Sequence, residues 1–480
     1  MPLDILHSDS SRRTKVVCTI GPSTGSASVI KELLEAGMDV ARINFSHGTH
    51  KEHASRVRAL RHVSKHLGLP LAIMQDLPGP KDRTGKLKKG AVELKENADF
   101  ILTTKEVLGD EHQVSAYLPD LPKNVTPGDI IFLDDGAIKL RVVAISNADV
   151  NCQVIVGGRL GEDKGINVPG VTWDTPAITE EDWNHLLFGL KHNVDFVALS
   201  FIKEASDVLK VRHFLQQKGA TTALIAKIER REALDNLDEI LEVADGAMVA
   251  RGDLGIEIPI QRVPIAQKKI IQKCNYLGKP VIVATQMLES MVDAPRPTRA
   301  EVTDVANAVF DGADALMLSE ETAVGNYPKE AVSMMVQIIL EAEAALPYEE
   351  ILANKGRDLQ PQTDDAISYA ACHIAHQLGA VAIIAFTSSG STARRVAKYR
   401  PGVPILAITP SQVTQRQLSL SWGVHAFQVP EPSRVADLFA RGARVAKEAG
   451  LARDGDLVVI TGGVPIGVSG STNLVKVERV

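Results

Sequence analysis

The sequence has few cysteines, few aromatic residues and no long apolar run. Four cysteines are scattered through 480 residues without a CxxC spacing: Cys18, Cys152, Cys274 and Cys372. This pattern argues against a disulfide framework or a zinc site and favours a reducing compartment. No apolar stretch approaches the roughly 18 residues that a membrane span requires, and the apolar segment after Arg12 and Arg13 is too short for a secretory signal. These absences predict a cytoplasmic protein.

Positive charge is not in excess either, because the formal net charge is −6 and the isoelectric point is about 6.1. The chain therefore offers no broad basic field to nucleic acid or anionic lipid, and phosphate chemistry needs a local positive site. Hydrophobic residues make up 45% and charged residues 23% of the sequence, as in ordinary globular proteins. At 51.7 kDa the chain exceeds what one core usually holds, so we expect two or three domains.

Eight short apolar segments end in polar or glycine residues, and helical patterns follow most of them. This alternation is typical of buried parallel strands in βα units. Eight units, with one long interruption after the third, predict an α/β fold built on a (β/α)8 TIM barrel. The predicted strands are residues 16–20, 39–45, 71–75, 196–201, 224–228, 246–250, 280–284 and 315–318.

The interruption differs from the barrel pattern. It contains short alternating segments, a hairpin signal at 132–136 and no long helix, which predicts an inserted β-barrel domain. Residues 346–363 carry prolines, a glycine and several charges, as linkers do, and a second alternation of helices and strands follows. We therefore predict barrel segments at 1–76 and 165–346, an inserted lid domain at 77–164 and a C-terminal α/β domain at 347–480.

Polar side chains crowd the C-terminal ends of the predicted barrel strands, the face that carries the working residues of such barrels. Each of them alone is also explained as a helix cap or a surface ion pair. Their coincidence at one rim favours a functional site. They include Arg42, Asn44, His47, Asp76, Lys227, Glu229, Arg251, Asp253, Thr285 and Ser319.

Two carboxylates on neighbouring strands, Glu229 and Asp253, form a candidate metal site. They offer only oxygen acceptors, which suits Mg²⁺ or Mn²⁺ that shares its remaining positions with water and substrate. The alternative is that they pair with Lys227 or Arg251. Lys227 lies two residues before Glu229 and on the same side of the strand. Its ammonium is therefore placed to bridge the oxygens of a transferring phosphoryl group.

Other rim residues predict contacts with an anionic substrate. Gly252 permits close approach to backbone N–H groups that hold a carboxylate, and Thr285 adds a hydroxyl donor. Ser319 is a candidate for a proton relay. Arg42 and Arg83, always charged and fork-shaped, are candidate phosphate clamps.

Together these segments resemble the pyruvate kinases. The resemblance is carried by residues 42–48, 76–83, 226–229, 248–257, 284–291, 296–301 and 317–325. The order of these motifs and the insertion after the third strand are those of that family, and the likeness covers almost the whole chain. It implies glycolytic phosphoryl transfer from phosphoenolpyruvate to ADP, giving pyruvate and ATP.

The resemblance also implies a role for each matching residue. The phosphoryl and metal ligands would be Arg42, Lys227, Glu229 and Asp253. The substrate carboxylate would meet Gly252, Asp253 and Thr285, and the nucleotide would meet Asn44, His47 and Arg83. The inserted domain would close over the nucleotide, with hinges near 78–80 and 165–169.

Two positions depart from the potassium-dependent members of the family, which have a hydroxyl residue after Asp76 and a glutamate at position 81. Here these residues are Leu77 and Lys81. Leucine removes an oxygen ligand, and the ammonium of Lys81 can bring the positive charge of a monovalent cation to the nucleotide. We therefore expect activity without potassium. The alternative is that Lys81 is a solvated loop charge. The sequence gives no explanation for Asp82, where the family usually has an apolar residue.

A run of hydroxyl residues between a strand and a helix of the last domain is a candidate phosphate site. These residues are Thr387, Ser388, Ser389, Gly390, Ser391 and Thr392. The resemblance implies an allosteric phosphorylated effector at this loop, helped by residues 463–470, and a homotetramer. The alternative is that the loop only caps the helix.

Two other classes of function compete with this interpretation. Metal-dependent pyruvate aldolases or lyases also stabilise a pyruvate enolate on a similar barrel, but the inserted domain, Arg83 and Lys227 argue against them. A non-catalytic effector sensor is disfavoured because Lys227, Glu229 and Asp253 are all present.

Overall fold

The computed structural model describes residues 12–80, 82–171, 175–431, 434–468 and 470–480. Lys81, for which the sequence predicts a nucleotide contact, lies outside the described residues.

The chain begins with three strands and two helices of a parallel barrel. They are β1 (Lys15–Thr19), α1 (Ala27–Ala36), β2 (Val40–Asn44), α2 (His50–Leu67) and β3 (Ala72–Asp76). The helices start at side-chain caps, Ser26 for α1 and a capping box of Thr49 with Glu52 for α2. Both end at a glycine in the left-handed conformation, which stops the helix and returns the chain to the barrel.

After β3 the chain leaves the barrel for a mainly antiparallel β domain. Its elements are β4 (Ala91–Leu94), β5 (Asp99–Thr103), β6 (Gln113–Ser115), α3 (Leu121–Asn124), β7 (Ile130–Leu133), β8 (Ile138–Ser146), β9 (Asp149–Val156), β10 (Gly158–Gly161) and β11 (Ile166–Asn167). Six strands form one sheet in the order β11-β7-β8-β9-β5-β6, and β10 pairs with β4. The predicted hairpin joins β7 to β8, where Asp134, Asp135 and Gly136 have positive φ.

The barrel then resumes and closes. Its later elements are α4 (Glu180–Lys191), β12 (Phe196–Leu199), α5 (Ala205–Gln217), β13 (Ala223–Ile228), α6 (Arg231–Asp235), α7 (Leu237–Val243), β14 (Gly246–Ala250), α8 (Arg251–Glu257), α9 (Val263–Leu277), β15 (Val281–Ala284), α10 (Arg299–Phe310), β16 (Ala315–Leu318), α11 (Glu320–Ala323) and α12 (Pro328–Ala344). The eight strands close in the order β1-β16-β15-β14-β13-β12-β3-β2 and are all parallel. Apart from their end residues, these are the eight strands that the sequence predicts.

An aspartate precedes every second barrel strand and closes the N-terminal face of the barrel. Each carboxylate accepts the first free N–H of a neighbouring strand and also pairs with an arginine, which satisfies a buried backbone donor. The N–H contacts are Val16 to Asp39 (2.8 Å), Ile73 to Asp195 (2.8 Å), Leu224 to Asp245 (2.7 Å) and Val281 to Asp314 (3.0 Å). The arginine partners are Arg12, Arg61, Arg212 and Arg400.

The C-terminal domain is an α/β sheet covered on both faces. A helix, α13 (Tyr348–Lys355), lies within the predicted linker. The domain follows as α14 (Thr363–Leu378), β17 (Ala382–Phe386), α15 (Ser391–Lys398), β18 (Ile405–Thr409), α16 (Gln412–Gln417), β19 (Val424–Gln428), α17 (Val435–Glu448), β20 (Leu457–Gly463) and β21 (Thr472–Arg479). The sheet order is β19-β18-β17-β20-β21, with β21 antiparallel to β20. Successive residues such as Ile383 and Ile384 enter separate hydrophobic clusters on opposite faces. The predicted fold class is thereby confirmed.

The C-terminal domain docks on the N-terminal face of the barrel. Leu420 joins the hydrophobic cluster inside the barrel, and Lys15 Nζ donates to Val424 O at 2.9 Å. Arg416 and Arg400 pair with Asp195 and Asp314 at 2.6 and 2.9 Å. The opposite, C-terminal rim of the barrel is left for the candidate site. Short 3₁₀ turns complete the fold at Ile260–Arg262, Glu289–Val292, Gly356–Asp358 and Leu418–Leu420.

Within the described ranges, no single helix is long and apolar enough to cross a membrane. One pair of helical segments bent by 74°, Pro328–Ala344 and Tyr348–Asp358, meets the criteria of length and composition together.

Candidate active site

Lys227, at the end of β13, is the centre of a buried group of charged side chains. Its Nζ lies 2.7 Å from Glu229 Oε1 and 3.2 Å from Asp76 Oδ1. Asp76 in turn accepts a hydrogen bond from Arg42 Nε at 2.6 Å. Side chains two residues apart share one face of a strand, which is why Lys227 reaches Glu229. The structure thus brings Arg42, Lys227 and Glu229 together around Asp76.

The charges in this group set its pKa values. Burial lowers the pKa of Lys227, but Asp76 and Glu229 outweigh it and hold that pKa above its ordinary value. Burial raises the pKa of Asp76, yet Lys227 and Arg42 hold it below its usual range. The pKa of Glu229 is raised by burial, which Lys227 only partly offsets and to which nearby Asp253 adds. Lys227 therefore stays cationic, whereas Glu229 gains from an additional positive charge.

Glu229 and Asp253 fit a divalent cation. Their oxygens are the donors that Mg²⁺ prefers, and a cation would relieve the repulsion that helps to raise the pKa of Glu229. Among the described residues, no group of three or more His, Cys, Asp or Glu side chains is arranged to hold a metal. Of the alternative ion pairs, Lys227 does pair with Glu229, whereas Arg251 pairs with Asp304 at 2.6 Å.

Ser200 is a neighbour of Lys227 that the sequence analysis missed. It follows β12, is 3% exposed and accepts a hydrogen bond from Lys227 Nζ at 2.6 Å. Its hydroxyl donates to Leu77 O at 2.7 Å, and the next N–H, of Phe201, donates to Glu229 Oε2 at 2.7 Å. Phe201 has a φ of 53°, which is strained for a bulky residue. The predicted strand 196–201 extends over this turn, so the turn itself was not predicted.

Gly252 and Thr285 lie against each other beside this group. The Gly252 N–H donates to Thr285 Oγ1 at 3.1 Å, and a Cβ at Gly252 would come within 3.2 Å of the threonine methyl. Helix α8 begins directly after β14, so Gly252 and Asp253 lie in its first turn. Thr285 has a φ of 69°, an uncommon conformation for a β-branched residue. The backbone here is thus shaped to hold the threonine hydroxyl at the start of α8.

Ser319 and Asn44 lie at the same rim, but each makes its hydrogen bond within its own loop. The Ser319 N–H donates to Glu321 Oε2 at 2.6 Å, and Glu321 is fully buried. The Asn44 side chain accepts from the N–H of Ser46 at 3.0 Å, and His47 is exposed. Among the described residues, no hydrogen bond links Ser319 or Asn44 to Lys227.

Arg83 lies where the two connections to the inserted domain meet. It pairs with Gly165 in an antiparallel bridge, and its guanidinium donates to Asp163 O at 2.8 Å. The Thr84 N–H donates to Lys164 O at 2.8 Å, which ties the two connections together. In the described part of the chain, no hydrogen bond joins Arg83 to the Lys227 group. Arg83 therefore lies just after the first connection and is paired with Gly165 of the second.

The structure gives Asp82 an electrostatic partner that the sequence did not reveal. Burial raises the pKa of Asp82 to about 6, and Arg230 of the barrel partly offsets that rise. Arg230 is 8% exposed and follows Glu229. The Asp82 carboxylate thus faces a barrel cation next to the candidate metal ligand.

The hydroxyl-rich loop of the C-terminal domain connects β17 to α15 as predicted. Thr387 Oγ1 accepts from the Gly390 N–H at 2.9 Å, which folds the loop, and Gly390 has a φ of 85°. The Thr392 hydroxyl lies 2.7 Å from that of Thr472. The hydroxyls of Ser389 and Ser391 are 3.2 Å apart. The loop is therefore a compact turn at the start of a helix.

Known proteins resemble the chain over nearly its whole length. The family described as "Pyruvate kinase, barrel domain" matches residues 11–332, and "Pyruvate kinase, alpha/beta domain" matches 365–478. A pyruvate kinase of Geobacillus stearothermophilus is 49% identical over 97% of this chain and 80% of its own length. One of Staphylococcus aureus is 46% identical over 98% and 80%. A crystal structure of a pyruvate kinase from Cryptosporidium parvum superposes with a TM-score of 0.93, at 37% identity, and covers 99% of this chain and 97% of that one.

Proposed function

The chain belongs to the pyruvate kinase family, and on this basis we propose that its Lys227 group performs the phosphoryl transfer and does so without potassium. The enzyme is a phosphotransferase acting on phosphoenolpyruvate, pyruvate, ADP and ATP, and the family requires a divalent metal ion. The observation that supports the site is the contact of Lys227 Nζ with Asp76, Glu229 and Ser200.

In this proposal, Lys227 and Arg42 place two fixed positive charges at the transferring phosphoryl group. Asp76 accepts from both side chains and so aligns them before substrate binds. Charge that is already oriented stabilises the transition state without reorganisation. Glu229 and Asp253 would hold Mg²⁺ or Mn²⁺, which supplies positive charge to the phosphoryl and enolate oxygens when bound.

The substrate carboxylate is proposed to meet Gly252, Asp253 and Thr285. The short Gly252 to Thr285 contact supports this assignment because it holds the threonine hydroxyl next to the first-turn N–H groups of α8. Ser319 is proposed to take part in returning a proton to the methylene carbon of the enolate. Both Thr285 and Ser319 lie at the ends of barrel strands.

The nucleotide is proposed to lie between Asn44 and His47 of the barrel and Arg83 of the inserted domain, with Lys81 beside it. The pairing of Arg83 with Gly165 supports hinges near 78–80 and 165–169, because two hydrogen-bonded strands can bend together while the domain stays rigid. We place the inserted domain at 77–164, where it would exclude water from the phosphoryl group.

Independence from potassium is tested by measuring pyruvate formation in a sodium or tetramethylammonium buffer, with and without added potassium. We expect the wild-type rate to change by less than about twofold. The double variant Leu77→Thr with Lys81→Glu should lose at least about tenfold without potassium and recover when it is added.

A matched control for this test is Lys105→Glu, which makes the same charge change on an exposed lysine of the inserted domain. It should respond to potassium as the wild type does. A wild-type enzyme that turns over only with potassium would overturn the proposal.

Regulation, assembly and location are further parts of the proposed function. A phosphorylated effector is proposed at the Thr387 to Thr392 loop, whose hydroxyls cluster at the start of α15. A homotetramer is supported by apolar side chains exposed on and beside α9 and α10, among them Ile265, Tyr276 and Phe310. A cytoplasmic location is supported by four cysteines that are all free and buried.

A further inference from the structure

Arg230 is a buried cation beside the candidate metal site that the proposed mechanism does not use. It follows Glu229 just past the end of β13, directly before α6, and is 8% exposed. Within the described ranges its Nε has no hydrogen-bond acceptor, and its one ion pair is with Glu232 at 3.6 Å. Burying a cation with so few direct contacts is costly. The charge of Arg230 therefore needs carboxylates on neighbouring elements to stabilise it.

Two such carboxylates come from the first connection to the inserted domain and from α8. Burial raises the pKa of Asp82 to about 6, and Arg230 opposes that rise. Burial also raises the pKa of Glu257, the last residue of α8, to about 7. Arg230 opposes this rise too, whereas Glu232 and Asp253 add to it. In the described part of the chain, neither Asp82 nor Glu257 pairs with the guanidinium within 4.0 Å. Both act on Arg230 through charge rather than through a hydrogen bond.

The backbone of Asp82 is tied to the second connection of the inserted domain. The Ile166 N–H donates to Asp82 O at 2.9 Å, and the next residue, Arg83, forms an antiparallel bridge with Gly165. A rotation of the inserted domain would therefore move the Asp82 carboxylate relative to Arg230, which belongs to the barrel. The interaction between these two side chains thus crosses the boundary between the domains.

A second contact between the inserted domain and the barrel also involves α8. The turn of the β7–β8 hairpin reaches this helix, because a Cβ on Gly136 would lie 3.7 Å from Ile256 Cγ1. Ile256 directly precedes Glu257, and Gly252 and Asp253 lie in the first turn of the same helix. Helix α8 therefore connects the inserted domain to the residues proposed to bind the substrate carboxylate and the metal.

We propose that Arg230 is a positioning residue that holds the inserted domain against the barrel, with Asp82 as its partner at the base of that domain and Glu257 as its neighbour on α8. Its charge thereby fixes the inserted domain relative to Glu229 and to the first turn of α8. This role also accounts for Asp82, for which the sequence gives no explanation. Any effect on turnover rests on the proposed function, whereas the contact between the domains stands on the surroundings of Arg230 alone.

Steady-state kinetics of the full-length enzyme, with ADP varied at saturating phosphoenolpyruvate and Mg²⁺, measure the effect on turnover. Arg230→Gln should lower kcat/KM for ADP at least about tenfold and Asp82→Asn about threefold, since the inserted domain is proposed to cover the nucleotide. Arg230→Lys should keep most of the wild-type value, because an interaction through charge does not need the guanidinium fork. The double variant Asp82→Asn with Arg230→Gln should be no worse than Arg230→Gln alone.

The matched controls are Arg231→Gln and Asp120→Asn, which should both behave as the wild type. Arg231 is the next residue along the chain, with a side chain that is 64% exposed, and the side chain of Asp120 in the inserted domain is 56% exposed. Equal values for Arg230→Gln and Arg231→Gln, or losses that multiply in the double variant, would overturn the inference. Thermal unfolding midpoints check that each variant is folded. If Arg230→Gln does not fold, the comparison of Asp82→Asn with Asp120→Asn decides alone.

Hydrogen exchange of the full-length protein without substrate, followed by mass spectrometry, tests the contact independently of activity. Peptides from the hairpin at 132–136 and from α8 should exchange at least about threefold faster in Arg230→Gln than in Arg231→Gln, while peptides from α14 should not change. Unchanged exchange at the hairpin and α8 would overturn the inference even in an active kinase. Faster exchange there in a protein that forms no pyruvate would support the contact while contradicting the proposed function.

Discussion

At the scale of single residues, Lys227 owes its position to three partners at the C-terminal ends of three strands. Asp76 and Glu229 stabilise its positive charge. Ser200 fixes the orientation of the Lys227 side chain, because the serine hydroxyl is itself held by a hydrogen bond to Leu77 O. Removing the hydroxyl would leave the ammonium charged but free to turn towards the carboxylates. We therefore predict that Ser200 positions Lys227 for the transfer.

Ser200→Ala should lower kcat about tenfold, the cost of roughly one hydrogen bond to a charged group, with a smaller change in KM. Steady-state kinetics over a range of phosphoenolpyruvate and ADP concentrations measure both constants. The control is Ser206→Ala, because Ser206 lies on α5 and its hydroxyl donates to Glu204 instead. Equal kcat values for the two variants would contradict a positioning role.

His53 makes stability depend on pH. It is 1% exposed and stacks on Phe45, and burial, with Arg56 and His50 adding to it, lowers its pKa to about 4. In the unfolded chain the His53 side chain binds a proton near pH 6.5, whereas in the folded protein it is still neutral at that pH. Stability is therefore complete above pH 6.5 and falls, by up to about 3 kcal/mol, as the pH drops towards 4.

His53→Phe keeps the aromatic packing and removes this proton. Its thermal unfolding midpoint should fall less steeply than that of the wild type between pH 6.5 and 4.5. Curves that run parallel through this range would show that His53 is not the group responsible.

At the scale of elements, the aspartates at the N-terminal face of the barrel all make the same kind of contact, with a strand N–H and an arginine, but they differ in burial. Asp195 is fully buried and serves Ile73 N–H, Arg61 and Arg416, whereas the side chain of Asp245 is 41% exposed and serves Leu224 N–H and Arg212. The same motif should therefore contribute very different free energies.

Asp195→Asn removes the buried charge that pairs with two arginines. This change should lower the free energy of unfolding by about 3–5 kcal/mol. Asp245→Asn should cost no more than about 1 kcal/mol. Thermal or urea unfolding of both variants compares them directly. Equal losses would mean that burial does not govern these pairs.

The elements also show what sequence reasoning reaches. The barrel strands were predictable because apolar runs that end in Arg42, Asp76 or Lys227 carry a local signal. The strands β19 and β21 carry no such local signal, since their residues are half polar and their burial depends on neighbours far along the chain. The Ser200 turn was missed because its strain arises from contacts with Leu77 and Glu229, which no local pattern encodes.

At the scale of the whole molecule, the Lys227 group and the C-terminal domain lie at opposite faces of the barrel. The Lys227 group lies at the C-terminal rim, and the C-terminal domain docks through Arg416 on Asp195 at the N-terminal face. Strand β12 spans both, with Asp195 before its first residue and Ser200 after its last.

The most direct measurement of the central claim is pyruvate formation, coupled to lactate dehydrogenase, from phosphoenolpyruvate, ADP and Mg²⁺. It compares the wild type with Lys227→Met and with Lys210→Met, an exposed lysine of α5. We predict that the wild type and Lys210→Met turn over alike and that Lys227→Met, folded by its thermal midpoint, loses on the order of a thousandfold. A Lys227→Met enzyme that retains the wild-type rate would contradict the account.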